Sequence, residues 1–186
     1  MNFVRSELLG IGSRGVEPVI KFCRRVPGFE SLCEHDQKIL LRHACLEIWV
    51  LRCAFLFCGR SDVSLENCHS KLGVEVGLDA LVQCIARIRD SFVHHEVFLE
   101  EVALLSTICL FCHTRVNLLE PLKVEQLQEP LVQALQVQIR LRKNDPEEAQ
   151  KIFAKLLMKI PDVRGVVTRD LENIVIATPN VGGNTT

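Results

Sequence analysis

Along residues 36–57 apolar side chains fall on every side of a helical wheel: Ile39, Leu40, Leu41, Ala44, Cys45, Leu46, Ile48, Trp49, Val50, Leu51, Cys53, Ala54, Phe55, Leu56 and Phe57. A helix that is apolar all round is buried, either in a protein core or in lipid. Arg42, His43, Glu47 and Arg52 interrupt this run, and each charge is expensive in a bilayer, so the pattern predicts the central helix of a soluble helical domain. Upstream, Val19, Ile20, Phe22 and Cys23 belong to a helix that must stop at Pro27-Gly28, because proline lacks a donor and glycine is entropically costly within a helix. Phe29 and Leu32 are then free to plug the turn.

The same periodicity continues downstream. Pro18 suits a first helical turn, so the first helix is placed from Val16. Residues 1–15 are ambiguous, since Gly10, Gly12 and Gly15 dilute the apolar positions. Residues 58–77 form a link rich in glycine, serine, asparagine and aspartate, with room for a short hairpin. Leu78, Leu81, Val82, Ile85, Ile88 and Phe92 recur at helical spacing, and residues 102–111 form another apolar helix opened by Glu96, Glu100 and Glu101. Val124, Leu127, Leu131, Leu135 and Ile139 make an amphipathic stripe that Pro130 should kink or break. Asp145-Pro146-Glu147-Glu148 is a helix start, Pro161 should bend or end that helix, and a last helix is placed over 162–176. The tail 178–186, TPNVGGNTT, has nothing to pack and is expected to be disordered.

Composition narrows the class. With 186 residues, 48% hydrophobic and 24% charged, the chain has enough apolar mass for one globular core, and a net charge of −1 argues against nucleic-acid binding by bulk electrostatics. No basic segment followed by a uniform apolar one opens the chain, so no secretory signal is expected. Nine cysteines lie mostly inside apolar runs, which suits a reducing compartment. Cys109-Leu110-Phe111-Cys112-His113 matches the C-x-x-C-H haem-attachment string, but it sits in a buried apolar helix; haem carriage stays open only as an alternative. Neither Cys53 with Cys58 nor Cys68 with His69 has the paired short spacing of a zinc site, so no metal is expected. No nucleophile elbow, phosphate loop or H-E-x-x-H string occurs, and no enzyme activity is expected.

The corner and central run together hold Arg24, Pro27, Gly28, Phe29, Leu32, Asp36, Gln37, Leu40, Leu41, Glu47, Leu51 and Arg52 at fixed spacing. This arrangement resembles the signature of nuclear receptor ligand-binding domains. The later strings Glu101-Val102-Ala103-Leu104-Leu105-Ser106, Leu127-Gln128-Glu129-Pro130-Leu131 and Lys155-Leu156-Leu157-Met158-Lys159-Ile160 resemble most the retinoic acid and thyroid hormone receptor branch. The resemblance covers residues 16–177 and implies an all-α, three-layer antiparallel helical sandwich with a short β-hairpin near 58–77. It implies transcriptional regulation in the nucleus, a small lipophilic ligand and no cofactor. Expected partners are co-activator or corepressor peptides and a retinoid X-type receptor or a second copy. DNA would be reached only through a zinc domain whose tandem C-x2-C modules are not in this chain, and no membrane is involved. A structural helical interaction protein with no ligand is the alternative.

Residue by residue, the resemblance puts a co-regulator groove at Ile20, Arg24, Gln37, Lys38, Leu41 and Arg42, with Arg24 where lysine is usual and Lys38 bringing a charge to the groove floor. It puts the ligand pocket at Leu46, Trp49, Val50, Cys53 and Leu56. Receptors for carboxylate ligands carry an arginine at the place of Leu56, and leucine cannot make its paired hydrogen bonds, so a small, neutral or absent ligand is expected. Arg115 is the expected partner of Glu47 in a structural salt bridge, which has no signalling role on the simpler reading. The dimer face is expected on 150–167 with contributions from 131–141, its key positions being Leu156, Met158 and Arg164. The family's closing helix, which carries apolar residues about an acid, has no match in 177–186, so the domain is expected to be impaired in ligand-dependent activation.

Overall fold

The computed structural model describes residues 16–58 and 79–177, the side chains of Val16, Asp79 and residues 169–177 excepted. The ambiguous segment 1–15, nearly all of the expected hairpin link 58–77 and the tail 178–186 lie outside the described residues. Helix α1 (Val16–Arg24) turns inward through Val19 and Cys23, one helical turn apart, while Glu17 and Lys21 pair at 2.7 Å on the wet face. At the corner Gly28 has φ 86°, and a Cβ there would lie 2.5 Å from the Leu127 side chain. The backbone conformation therefore demands glycine, and any side chain there would also have to displace the end of Leu127. A short 3-10 turn (Phe29–Ser31) follows, with the buried Phe29 ring 6.3 Å from that of Phe111.

Helix α2 (Glu34–Leu56) is the middle layer. It packs against α1, α3 (Asp79–His94), α4 (Leu99–Leu110) and α6 (Pro146–Ala177), which explains why its sequence is apolar on all sides. Leu40, Ala44, Ile48 and Leu51 are wholly buried, and each such leucine or isoleucine contributes roughly 1.5–3 kcal/mol over an exposed one. In α3 the stripe Leu81, Val82, Ile85, Ile88 and Phe92 faces α2 and α6 from the core. Helix α5 (Pro121–Arg142) lies against α4 and α6, burying Val124, Leu135 and Ile139. Among the described residues there is no strand, and the helices stack as an all-α sandwich. No helix among them is long and apolar enough to cross a membrane.

Three local expectations need correction. Pro130 lies inside an unbroken α5, and Pro161 inside a single helix that joins the two segments expected after Asp145. Both prolines are exposed, and each removes one helical hydrogen bond without ending its helix. Glu96 is not in the first turn of α4 but at φ 52° in the preceding turn, whereas Glu101 closes that helix by accepting the Phe98 N–H at 3.0 Å.

Candidate functional site

The end of α1 and the first turns of α2 carry the six groove positions. Ile20 and Arg24 are one turn apart on α1, and Lys38, Leu41 and Arg42 share a face of α2. Ile20 and Leu41 are half-buried; Arg24 and Arg42 are exposed and have no ion-pair partner among the described residues. Gln37 is turned back, donating from its amide to the Leu32 carbonyl at 2.8 Å. Lys38, whose charge was expected on the groove floor, has a side chain that is 73% exposed and pairs with Glu34 at 2.7 Å.

On the other side of α2, Leu46, Trp49, Val50 and Cys53 are buried, none more than 8% exposed. Leu56 departs from this set, being 51% exposed at the helix end, while Phe57 turns into the core in its place. A cleft of about 390 Å³, which sequence reasoning missed, runs between the proline-glycine corner, α4 and α5. Phe22, Val26, Leu127 and Leu131 line it, with Arg25 at its edge. It joins residues that are distant in the chain, so no local pattern marks it.

Glu47 is 1% exposed and sits at the junction of α2, the α4–α5 loop and α6. Arg115 Nη2 donates to its Oε2 at 2.6 Å, and Arg164 Nε to its Oε1 at 3.4 Å. The Cys109 thiol adds a weak donation to Oε2 at 3.6 Å. Burial pushes that thiol well above its usual pKa, and the Glu47 charge pushes it further. Arg164 also donates to Cys112 Sγ at 3.2 Å. It therefore points into the domain and not out of a dimer face, as the sequence reading had it. Leu156 is likewise misplaced there: it is wholly buried in the inward row of Ile152, Ile160 and Val163, at steps of three and four. Met158, on the outer face, is 64% exposed. His113 shares a hydrogen bond with the Gln128 side chain at 3.2 Å, so all three residues of the C-x-x-C-H string are held in protein contacts.

Two buried polar links join residues far apart in the chain, so although Asp36 and Glu101 stand in the strings that carry the resemblance, nothing there names their partners. Glu101, wholly buried, takes Arg142 Nε at 2.6 Å and Nη2 at 3.2 Å, tying the start of α4 to the end of α5. Asp36, also wholly buried, accepts the Leu119 N–H at 2.8 Å and the Glu120 N–H at 2.9 Å, capping α5 from the first turn of α2. Burial raises the Asp36 carboxyl, but these two N–H groups with the Cys33 thiol outweigh it and hold the group below the usual aspartate range. Cys33, Asp36 and Glu120 bring ligand-type atoms within 4.8 Å of one another, but the Asp36 oxygens already have these donors, so the group reads as a cap.

The chain matches the family described as the ligand-binding domain of nuclear hormone receptor over residues 2–178. It is 33% identical to retinoic acid receptor gamma of Xenopus laevis over 177 residues, covering 93% of this chain and 37% of that receptor. It is 31% identical to retinoic acid receptor alpha of the same organism, again over 93% of this chain and 38% of the receptor. The chain thus spans a little over a third of the length of these curated relatives.

Proposed function

This chain belongs to the ligand-binding domain family of nuclear hormone receptors, and from that premise we propose that it regulates transcription in the nucleus through co-regulator peptides and a receptor partner. Arg24 clamps the C-terminal end of a short leucine-rich helix, with Arg42 at the far side of the groove, and the apolar side chains of that helix lie on Ile20 and Leu41. The observation that carries this reading is the pair of exposed arginines without ion partners among the described residues, each on a helix that also carries a half-buried apolar groove position. A cation at a helix C-terminus gains from the aligned peptide dipoles. The partner is a retinoid X-type receptor or a second copy, engaged through the outer face of α6 around Met158. Any ligand is small, lipophilic and neutral, since the buried Leu46, Trp49, Val50 and Cys53 offer no cation to a carboxylate. Residues 177–186 contain no acidic side chain, so this stretch cannot provide the acidic half of the clamp, and activation through it is weak.

A fluorescence-anisotropy titration with Leu-x-x-Leu-Leu and corepressor peptides tests the reading. Arg24→Ala should weaken binding about fivefold, the equivalent of ~1 kcal/mol. If neither peptide binds the unaltered chain, the groove assignment fails. The second reading, a structural interaction domain with no ligand, is favoured by the depth at which Trp49, Val50 and Cys53 are buried. A panel of neutral lipophilic compounds that leaves the melting temperature unchanged would select it.

A further inference from the structure

The cleft at the proline-glycine corner has walls that are held from three directions. Lys123 Nζ donates to the Ser31 carbonyl at 2.5 Å, the end of the Leu127 side chain closes on Gly28, and the Gln128 amide donates to the Ile108 carbonyl at 3.0 Å. These contacts fix α5 in turn to the 3-10 turn, the corner and α4, so the space between them is set before anything enters it. At about 390 Å³ it falls within the range of small-molecule sites, roughly 300–1,000 Å³. Its chemistry is one-sided. Phe22, Val26, Pro27, Leu127, Pro130 and Leu131 give it apolar walls, and the two prolines have no N–H to offer. The Thr107 hydroxyl already donates to the Ala103 carbonyl at 2.8 Å. Arg25 is the one charged residue of the lining, is exposed, and has no ion-pair partner among the described residues.

We propose that this cleft is a binding site for amphipathic monocarboxylates, with Arg25 holding the carboxylate and the apolar body lying along Leu127 and Leu131. A guanidinium is the cation best matched to a carboxylate, since it can donate two parallel hydrogen bonds. A neutral apolar molecule leaves that cation unanswered, and a cationic one is repelled by it. The site is separate from the co-regulator groove, because Arg24 takes no part in the lining, and from the buried row Leu46, Trp49, Val50 and Cys53, none of which reaches the cleft. A bound molecule touches the corner, α4 and α5 together, so occupancy stabilises the folded domain.

Calorimetric titration of the folded chain with octanoate, and with 1-octanol as its neutral match, tests the charge; a photoreactive diazirine derivative of octanoate, mapped by mass spectrometry, tests the place. Octanoate should bind about tenfold more tightly than octanol, Arg25→Gln should abolish that preference, and Arg25→Lys should keep part of it. Arg25 is exposed, so neither replacement disturbs the core. Leu131→Gln, which puts an amide on the apolar wall, should weaken octanoate and octanol alike. Crosslinks should fall within 22–27 and 127–131. Crosslinks confined to 46–56 would assign the compound to the buried row on α2 and overturn the proposal without touching the proposed function. No saturable binding of octanoate, or a preference for it that survives Arg25→Gln, overturns it equally.

Discussion

Two buried carboxylates in this domain are answered differently. Glu101 meets one guanidinium, that of Arg142, and the Phe98 N–H; Arg142 in turn donates to the His95 carbonyl at 3.0 Å and lies 5.3 Å over the Phe98 ring. That cluster is neutral and closed, and joins two helix ends. Glu47 meets two guanidinium groups and a thiol, and joins three parts of the chain with a positive charge left over. A closed pair can be replaced as a unit without changing its surroundings. An unbalanced junction cannot, because removing any member changes what the others must satisfy.

Replacing the central acid should therefore have the largest effect. Glu47→Gln strands Arg115 and Arg164 together, and urea denaturation should show a loss of about 5 kcal/mol, the upper end for a broken buried pair. Glu101→Gln strands only Arg142 and keeps an acceptor for the Phe98 N–H, so about 3 kcal/mol is expected. The double replacement Glu101→Met with Arg142→Met should recover all but about 1 kcal/mol, the residue being the lost N–H acceptor. Glu47→Met with Arg115→Met should recover far less, since Arg164 still lacks its carboxylate. Equal recovery in both double variants would abolish the distinction between the clusters.

How far the chain itself announced this arrangement depends on range. The corner is legible because proline and glycine act locally, and the φ of 86° at Gly28 is what such a stop requires. Helix α2 is legible because only burial on all sides explains its composition. The Glu47–Arg115 contact was expected from the family resemblance. Arg164 and Leu156 were placed on an outward dimer face by the family resemblance, which gives a face without saying which of its residues meet a neighbour; α6 packs on α2, α3, α4 and α5, so more of it turns inward than a surface helix would show. The Glu101–Arg142 pair joins residues 41 positions apart, with no spacing rule to reveal it.

Asp36 sharpens the comparison as a third buried carboxylate, answered by backbone N–H groups at α5 and a thiol in place of a guanidinium. Asp36→Asn should cost about 2 kcal/mol, the upper range for a cap, because the amide nitrogen must face one of those donors. Its folded pKa is depressed, so the native state binds the proton less readily than the unfolded chain. The contribution is present above the ordinary aspartate pKa and is lost as pH falls through the lower folded value. Acid titration of Asp36→Asn should lack that part of the stability loss. Were the variant's acid profile to match the parent's, the cap would carry none of it.

The smallest effect again separates the two clusters, because each has a histidine beside it. His95 is held below its usual pKa by burial, then by Lys155, His94, Lys159 and Arg142; His43 by burial, then chiefly by Arg115. In both, the folded state binds protons less readily than the unfolded chain near pH 6.5. Stability from this source is therefore complete above the unfolded pKa and declines as pH falls through it toward the folded value. His95 is buried against the closed pair, whereas His43 is exposed above the Glu47 junction and shares its field with a neutralising carboxylate. His95→Gln should flatten most of the decline in urea midpoint between neutral pH and pH 5.5, and His43→Gln little of it. The reverse outcome would mean that the unbalanced junction, rather than the closed pair, controls the response to mild acid.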